Sequence, residues 1–260
     1  SSSRTSPTAH RAWRGRSACS PGSGWSAGTP SPAPATSYGA GFIVGLGNLI
    51  IGDLPDKNSL KSVPENVPIV IATTIPSGFK RGIVLRIDED EAMRQIIKHL
   101  TDLGHKNITY IGPNDGDVSA ARHAGYEKAM LSHGLRPESQ HCDRTEEAGY
   151  VAAKLALQVG DSPTALVCFN DIVALGVQEA IAVYEEAGGH PVALTGFDNT
   201  YIAALTRISL TSMEQEKGAI AARAAEILTA DEPVWKAVEG KHLLLVPRLV
   251  VRNSTTSVRL

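Results

Sequence analysis

From Gly41 onward, short apolar runs alternate with longer stretches whose apolar positions recur every three or four residues. The runs 41–46 (GFIVGL), 67–73 (VPIVIAT), 107–112 (NITYIG), 164–169 (TALVCF) and 191–197 (PVALTGF) predict strands, and 242–253 predicts one or two strands around Pro247. The helical period predicts helices over 88–104, 119–134, 146–158, 171–188 and 214–229. Acidic residues fill the first turn of 88–104, where the helix dipole favours them, and Gly104 follows its end. Strands that alternate with helices of ten or more residues imply a parallel sheet covered on both faces. The nearly continuous apolar character of the strands agrees, since both faces are then buried. The expected class is α/β, doubly wound.

Ligands of open parallel sheets bind at the carboxyl ends of the strands. Three consecutive strand ends carry polar groups here. Asn170 and Asp171 follow 164–169; Asp198 and Asn199 follow 191–197; Asn114, Asp115, Asp117 and Arg122 follow 107–112. Each has a purely structural alternative, since Asp171 can cap the helix after it and Asp198 can start a turn. Taken together they form a donor and acceptor set beside apolar strands, which suits a ligand rim. Asp171 directly precedes the apolar period that begins at Ile172 and is expected to be the cap. Asn170 would then lie one residue earlier, free to face a cleft.

The chemistry of this rim is that of binding. The chain has no phosphate-loop motif and no Gly-x-Ser-x-Gly elbow. The stretch 45–52 (GLGNLIIG) imitates a dinucleotide loop but lacks the third glycine and an opening helix. The eight histidines form no HxH or HxxxH grouping, so neither a metal nor another cofactor is expected. No nucleophile stands beside a base, so an enzyme is not expected. No apolar run approaches the ~18 residues of a membrane span. The three cysteines, Cys19, Cys142 and Cys168, are odd in number and far apart, which suits a reducing cytoplasm.

Composition divides the chain. Residues 1–38 hold ten Ser, five Pro, four Gly, six Ala and four Arg, with no Val, Ile, Leu, Met, Phe, Asp or Glu. Such a segment cannot bury enough apolar surface to offset ordering and is expected to be a disordered or non-native tail. Without its four arginines the rest has 21 basic and 27 acidic residues, a net charge of −6 and a poor match for a polyanion.

The stretches 99–135 (HLTDLGHKNITYIGPNDGDVSAARHAGYEKAMLSHGL), 169–181 (FNDIVALGVQEAI), 194–200 (LTGFDNT), 209–215 (SLTSMEQ) and 243–255 (LLLVPRLVVRNST) resemble the effector-binding core of LacI/GalR-family transcriptional regulators. The likeness runs in order from about residue 41 to 257. It implies a periplasmic-binding-protein-like fold, with two α/β subdomains joined by three crossovers near Asp88, Ser209–Gln215 and Pro247. A sugar or similar small effector would lie between them. By this resemblance Arg122, Asn170 and Asp198 match effector-contacting residues, and Gln215 matches a glutamine at a crossover. Arg144 stands where many members place an aromatic against the sugar, which leaves room for an acidic one. The resemblance also implies a cytoplasmic homodimer whose effector alters its affinity for operator DNA.

The expected domains are the tail 1–38, an amino-terminal subdomain of 39–88 and 215–246, and a carboxy-terminal subdomain of 89–214 and 247–260. The family's helix-turn-helix is not recognisable in 1–38, nor are the first strand and helix of its amino-terminal subdomain. That subdomain is therefore expected to be incomplete, and the start of the chain reads as truncated, frame-shifted or wrongly joined. Specific operator binding would need the missing recognition helix. Two other classes share parts of the pattern. A transporter's periplasmic-type sugar-binding protein would carry a secretory signal or lipoprotein cysteine. A small α/β enzyme would carry a nucleophile or cofactor motif at the rim.

Overall fold

The computed structural model describes residues 40–44, 47–51, 60, 63–73, 80–158 and 160–256. The expectations for 1–38 and for the last four residues lie outside the described residues. Two sheets organise the rest. The first contains β1 (Ala40–Val44), β2 (Gly47–Ile51), β3 (Ile69–Ala72), β4 (Ile83–Ile87) and β10 (His242–Leu245), in the order β1-β2-β3-β4-β10. The second contains β5 (Ile108–Gly112), β6 (Glu138–His141), β7 (Ala165–Cys168), β8 (Ala193–Phe197), β9 (Thr211–Glu214) and β11 (Arg248–Val250), in the order β11-β9-β8-β7-β5-β6. Pairing is parallel except for β1 with β2 and β11 with β9.

The helices are α1 (Glu89–Asp102), α2 (Asp117–Ser132), α3 (Glu146–Leu157), α4 (Asp171–Glu186), α5 (Lys217–Leu228), α6 (Glu232–Lys236) and α7 (Asn253–Thr256). The Asp88 side chain caps α1 by accepting from Glu91 N at 3.1 Å, and Thr145 caps α3 in the same way through Ala148 N. Helix α1 buries Ala92, Met93, Ile96, Ile97 and Leu100, a single stripe at helical spacing.

The second sheet is covered on both faces. Ile108, Tyr110, Ala165, Val167 and Ala193 pack with α1 and α2, while their neighbours Ile111, Leu166, Cys168 and Leu194 pack with α3 and α4. This alternation is the period of two of a strand, and it explains why every residue of β5, β7 and β8 is buried. Helices α3 and α4 approach closely at Gly176, where any Cβ would overlap the Glu146 carbonyl oxygen.

The chain passes between the sheets three times: after β4 at Asp88, after β9 at Gln215–Glu216, and between β10 and β11 at Val246–Pro247. Three features were not read from the apolar pattern. The apolar run expected over 41–46 is joined by a second strand, because β1 pairs antiparallel with β2, Val44 opposite Gly47. The run 83–87 (IVLRI) is a central strand although Arg86 interrupts its apolar pattern. Strands β6 and β9 carry the polar sequences ESQH and TSME, which periodicity cannot distinguish from loop.

Candidate functional site

The carboxyl ends of strands in both sheets face one cavity of about 740 Å³. The first sheet contributes Ala72 and Ile87 at strand ends, and α5 supplies an apolar wall through Ile220 and Ala224. The opposite wall carries Arg122, Phe169, Asp198 and Thr200, and Gln215 sits at the second crossing.

Arg122 is 3 % exposed and lies between two rings, its guanidinium carbon 3.5 Å from the Phe197 centroid and 4.6 Å from that of Phe169. Its Nε donates to Glu89 Oε2 at 3.1 Å, its Nη2 to Glu89 Oε1 at 3.4 Å, and its Nη1 to the Phe169 carbonyl at 2.5 Å. A buried guanidinium needs such partners, because an unpaired charge away from water is costly. Glu89 has a structural explanation beyond dipole complementation, and α1 and α2 are locked together by this pair.

Asp198 and Asn199 have φ of 97° and 43°, the left-handed region that non-glycine residues seldom adopt. The turn is held from below by Asp171, which is 1 % exposed. Its Oδ2 accepts from Thr200 N at 2.6 Å and Thr200 Oγ1 at 2.8 Å, and its Oδ1 accepts from Ser212 Oγ at 2.6 Å. Gly196 leaves the room, since a Cβ there would collide with Asp171 Oδ1. Asn199 Nδ2 donates to Glu214, and Arg252 Nη2 donates to Asn199 Oδ1, both at 2.8 Å or less. The turn thereby presents the Asp198 carboxylate to the cavity, where Gln215 Nε2 donates to it and Lys217 Nζ donates to its backbone oxygen.

Burial drives the Asp198 carboxyl above the ordinary carboxylate range, against the lowering influence of Arg122, Lys217 and Gln215. A carboxyl whose folded pKa is raised favours the fold in its protonated form. That contribution is complete below the unfolded pKa and is lost as pH rises through the folded one. Asp198→Asn, which stays neutral, should therefore melt at or above the wild-type temperature at pH 7. The difference should shrink as pH falls toward 4; earlier melting of the variant at pH 7 in a calorimetric scan would contradict this.

Neither residue at the end of β7 takes the role expected of it. Asn170, not Asp171, is the cap: it is extended at φ −152°, and its Oδ1 accepts from Val173 N at 2.9 Å. Asp171 is already helical, so its carboxylate projects sideways to the 198–200 turn instead of back along its own helix. Asn170→Ala should lower stability by about 1 kcal/mol, the usual value of an amide cap, as read from urea unfolding midpoints.

Asn170 and Arg144 are not among the described residues lining the cavity. Arg144 is tied to the loop after β5 through the Asp115 carboxylate at 3.0 Å and the Asp115 carbonyl at 2.7 Å, and to the first turn of α2 through Ser119 Oγ at 3.0 Å, with its guanidinium 5.6 Å from the Phe169 ring. Sequence reasoning missed Arg86, Glu89 and Lys217 on the cavity wall. Glu89 in particular was hidden among the acidic residues of a helix start.

Two α/β lobes with a polar cluster at the strand ends between them define a two-lobed ligand-binding domain. The family model described as periplasmic binding protein-like domain matches residues 97–255, and the chain belongs to that family. It is 31 % identical over 209 residues to catabolite control protein A of Priestia megaterium, covering 78 % of this chain and 62 % of that one. It is 28 % identical over 222 residues to the HTH-type transcriptional repressor CytR of Escherichia coli (strain K12), covering 82 % and 63 %. A LacI transcriptional regulator from a Rhodococcus species has a similar structure, with a TM-score of 0.68 and 27 % identity over 80 % of this chain and 76 % of that one. The LacI-type likeness read from the motifs is thus borne out in sequence and in fold. The chain spans about half to three fifths of the length of the curated relatives it matches, from 46 % to 62 % for the first three. No helix among the described residues is long and apolar enough to cross a membrane.

Proposed function

We propose that this chain is the ligand-sensing core of a LacI-type transcriptional regulator, binding a small effector in the cavity between its two sheets. Arg122, Asp198 and Gln215 are the effector contacts in this reading, and Asn170 and Arg144 shape the rim behind them. Residues 39–88 and 215–246 act as one lobe and 89–214 and 247–260 as the other, moving about the three crossings. The protein works as a cytoplasmic homodimer, and the effector shifts its affinity for operator DNA, which is bound through a helix-turn-helix not recognisable in this sequence.

The observation that carries this reading is the convergence of a ring-sandwiched arginine, a turn-held carboxylate and a crossover amide on a cavity that both sheets line. A carboxylate and a guanidinium fork can share neighbouring hydroxyls, and an amide can donate and accept. An effector that touches both lobes favours one arrangement of them, and a regulator needs that differential contact. Relatives named as transcriptional regulators favour this over a transporter's binding protein.

The test is a thermal-shift screen of sugars, sugar acids and nucleobases. A specific ligand at a hundredfold excess over its dissociation constant stabilises by about 2.7 kcal/mol, a clear rise in melting temperature. A screen in which no member of these classes shifts the transition would count against the proposal.

A further inference from the structure

Among the described residues, the charges on the cavity wall do not balance. Arg122 is matched by Glu89. The remaining lining carboxylate, Asp198, faces Gln215 and has Lys217 close by. Arg86, on β4, has no ion-pair partner among the described residues. Its Nε is buried without a hydrogen bond, and its Nη1 reaches only the Ile87 carbonyl, at 3.4 Å. Lys217 likewise makes no ion pair among the described residues, since it donates to a backbone oxygen. The described lining thus carries three cations and two carboxylates, an excess of one positive charge.

The geometry points to an effector that bears an anionic group, a carboxylate or a phosphate, held by Arg86 and Lys217 while its hydroxyl or amide end meets Asp198, Gln215 and Arg122. This rests on the proposal that the cavity is the effector site and specifies the chemistry of its ligand. The two cations come from different parts of the first lobe, Arg86 from β4 and Lys217 from the first residue of α5. A planar guanidinium recognises either oxyanion through its fork, whereas an ammonium adds charge without direction. A cation without an ion-pair partner among the described residues, in a partly water-excluded cavity, gains most from a ligand that brings an anion to it.

Matched neutral and anionic probes test this: glucose with glucose 6-phosphate, glucose with glucuronate, and adenosine with adenosine 5′-monophosphate. Each is titrated calorimetrically into the whole chain at constant ionic strength. In at least one pair the anionic member should bind tenfold or more tightly than its neutral partner. Glucuronate and the phosphates separate a carboxylate from a phosphate preference. Arg86→Gln should abolish most of that preference and leave the neutral affinity unchanged; Lys217→Gln, at an exposed position, should reduce it without affecting folding. Neutral probes that bind as tightly as anionic ones would overturn the inference and leave the effector site standing. A preference that survives in both variants would overturn it as well. Binding of no probe at all would overturn both.

Discussion

Arg122→Ala should cost the fold about 3–5 kcal/mol, the usual effect of removing one partner from a buried ion pair. The side chains of Arg122 and Glu89 are 4 % and 8 % exposed, so the carboxylate left behind is poorly solvated. The Phe169 carbonyl would lose its donor, and the space between the Phe169 and Phe197 rings would empty. Effector binding should vanish in the same variant, which alone would not separate a ligand contact from a structural one. The double variant Glu89→Leu/Arg122→Met does separate them. Replacing both partners by apolar groups of similar volume is often neutral or stabilising, so urea unfolding should return to within about 2 kcal/mol of wild type. Binding should stay absent. A double variant that refolds and binds normally would show that the guanidinium holds helices and nothing else.

Asp171→Ala should cost about 2–3 kcal/mol, because one buried donor, Ser212 Oγ, and two half-buried ones, Thr200 N and Oγ1, lose their acceptor, and each orphaned group costs up to about 1–3 kcal/mol. A cap alone would be worth only about 1 kcal/mol. The loss should also reach the ligand. With Thr200 and Ser212 released from Asp171, the 198–200 turn is left with its ties to Glu214, Gln215, Lys217 and Arg252, and strained backbone persists only where surroundings over-determine it. Effector affinity should fall by tenfold or more although Asp171 never touches the ligand. Ser212→Ala, which removes one donor of the three and the acceptor of Asn199 N, should cost about 1–2 kcal/mol and weaken binding less than Asp171→Ala does. Equal stability of Asp171→Ala and Ser212→Ala in urea melts would refute the hub.

Much of the architecture was legible in the chain. Strands β5, β7 and β8 of the second sheet are apolar on both faces and read as continuous runs, and helix α1 shows its stripe. The motifs 99–135 and 169–181 then fixed the family, and the three crossings fall near Asp88, Gln215 and Pro247. What stayed hidden has physical causes. Strands β6 and β9 are short and polar, and Arg86 breaks the pattern of β4. The cap at Asn170 was misplaced because Asn and Asp are equally good caps, and only the backbone decides which is extended. The partnership of Glu89 with Arg122 spans 33 positions and has no local signal. Nor does the tie from Asp171 to Thr200, 29 positions away.

The central claim is that the cavity between the sheets binds the effector through the carboxylate of Asp198. It is tested most directly by calorimetric titration of the ligand found in the screen into wild type and Asp198→Asn. This variant is expected to melt no earlier than wild type at pH 7, so a binding change in it cannot be blamed on folding. The account predicts one saturable site in the wild type and an affinity at least tenfold weaker in Asp198→Asn. Equal affinity in the two proteins would contradict it.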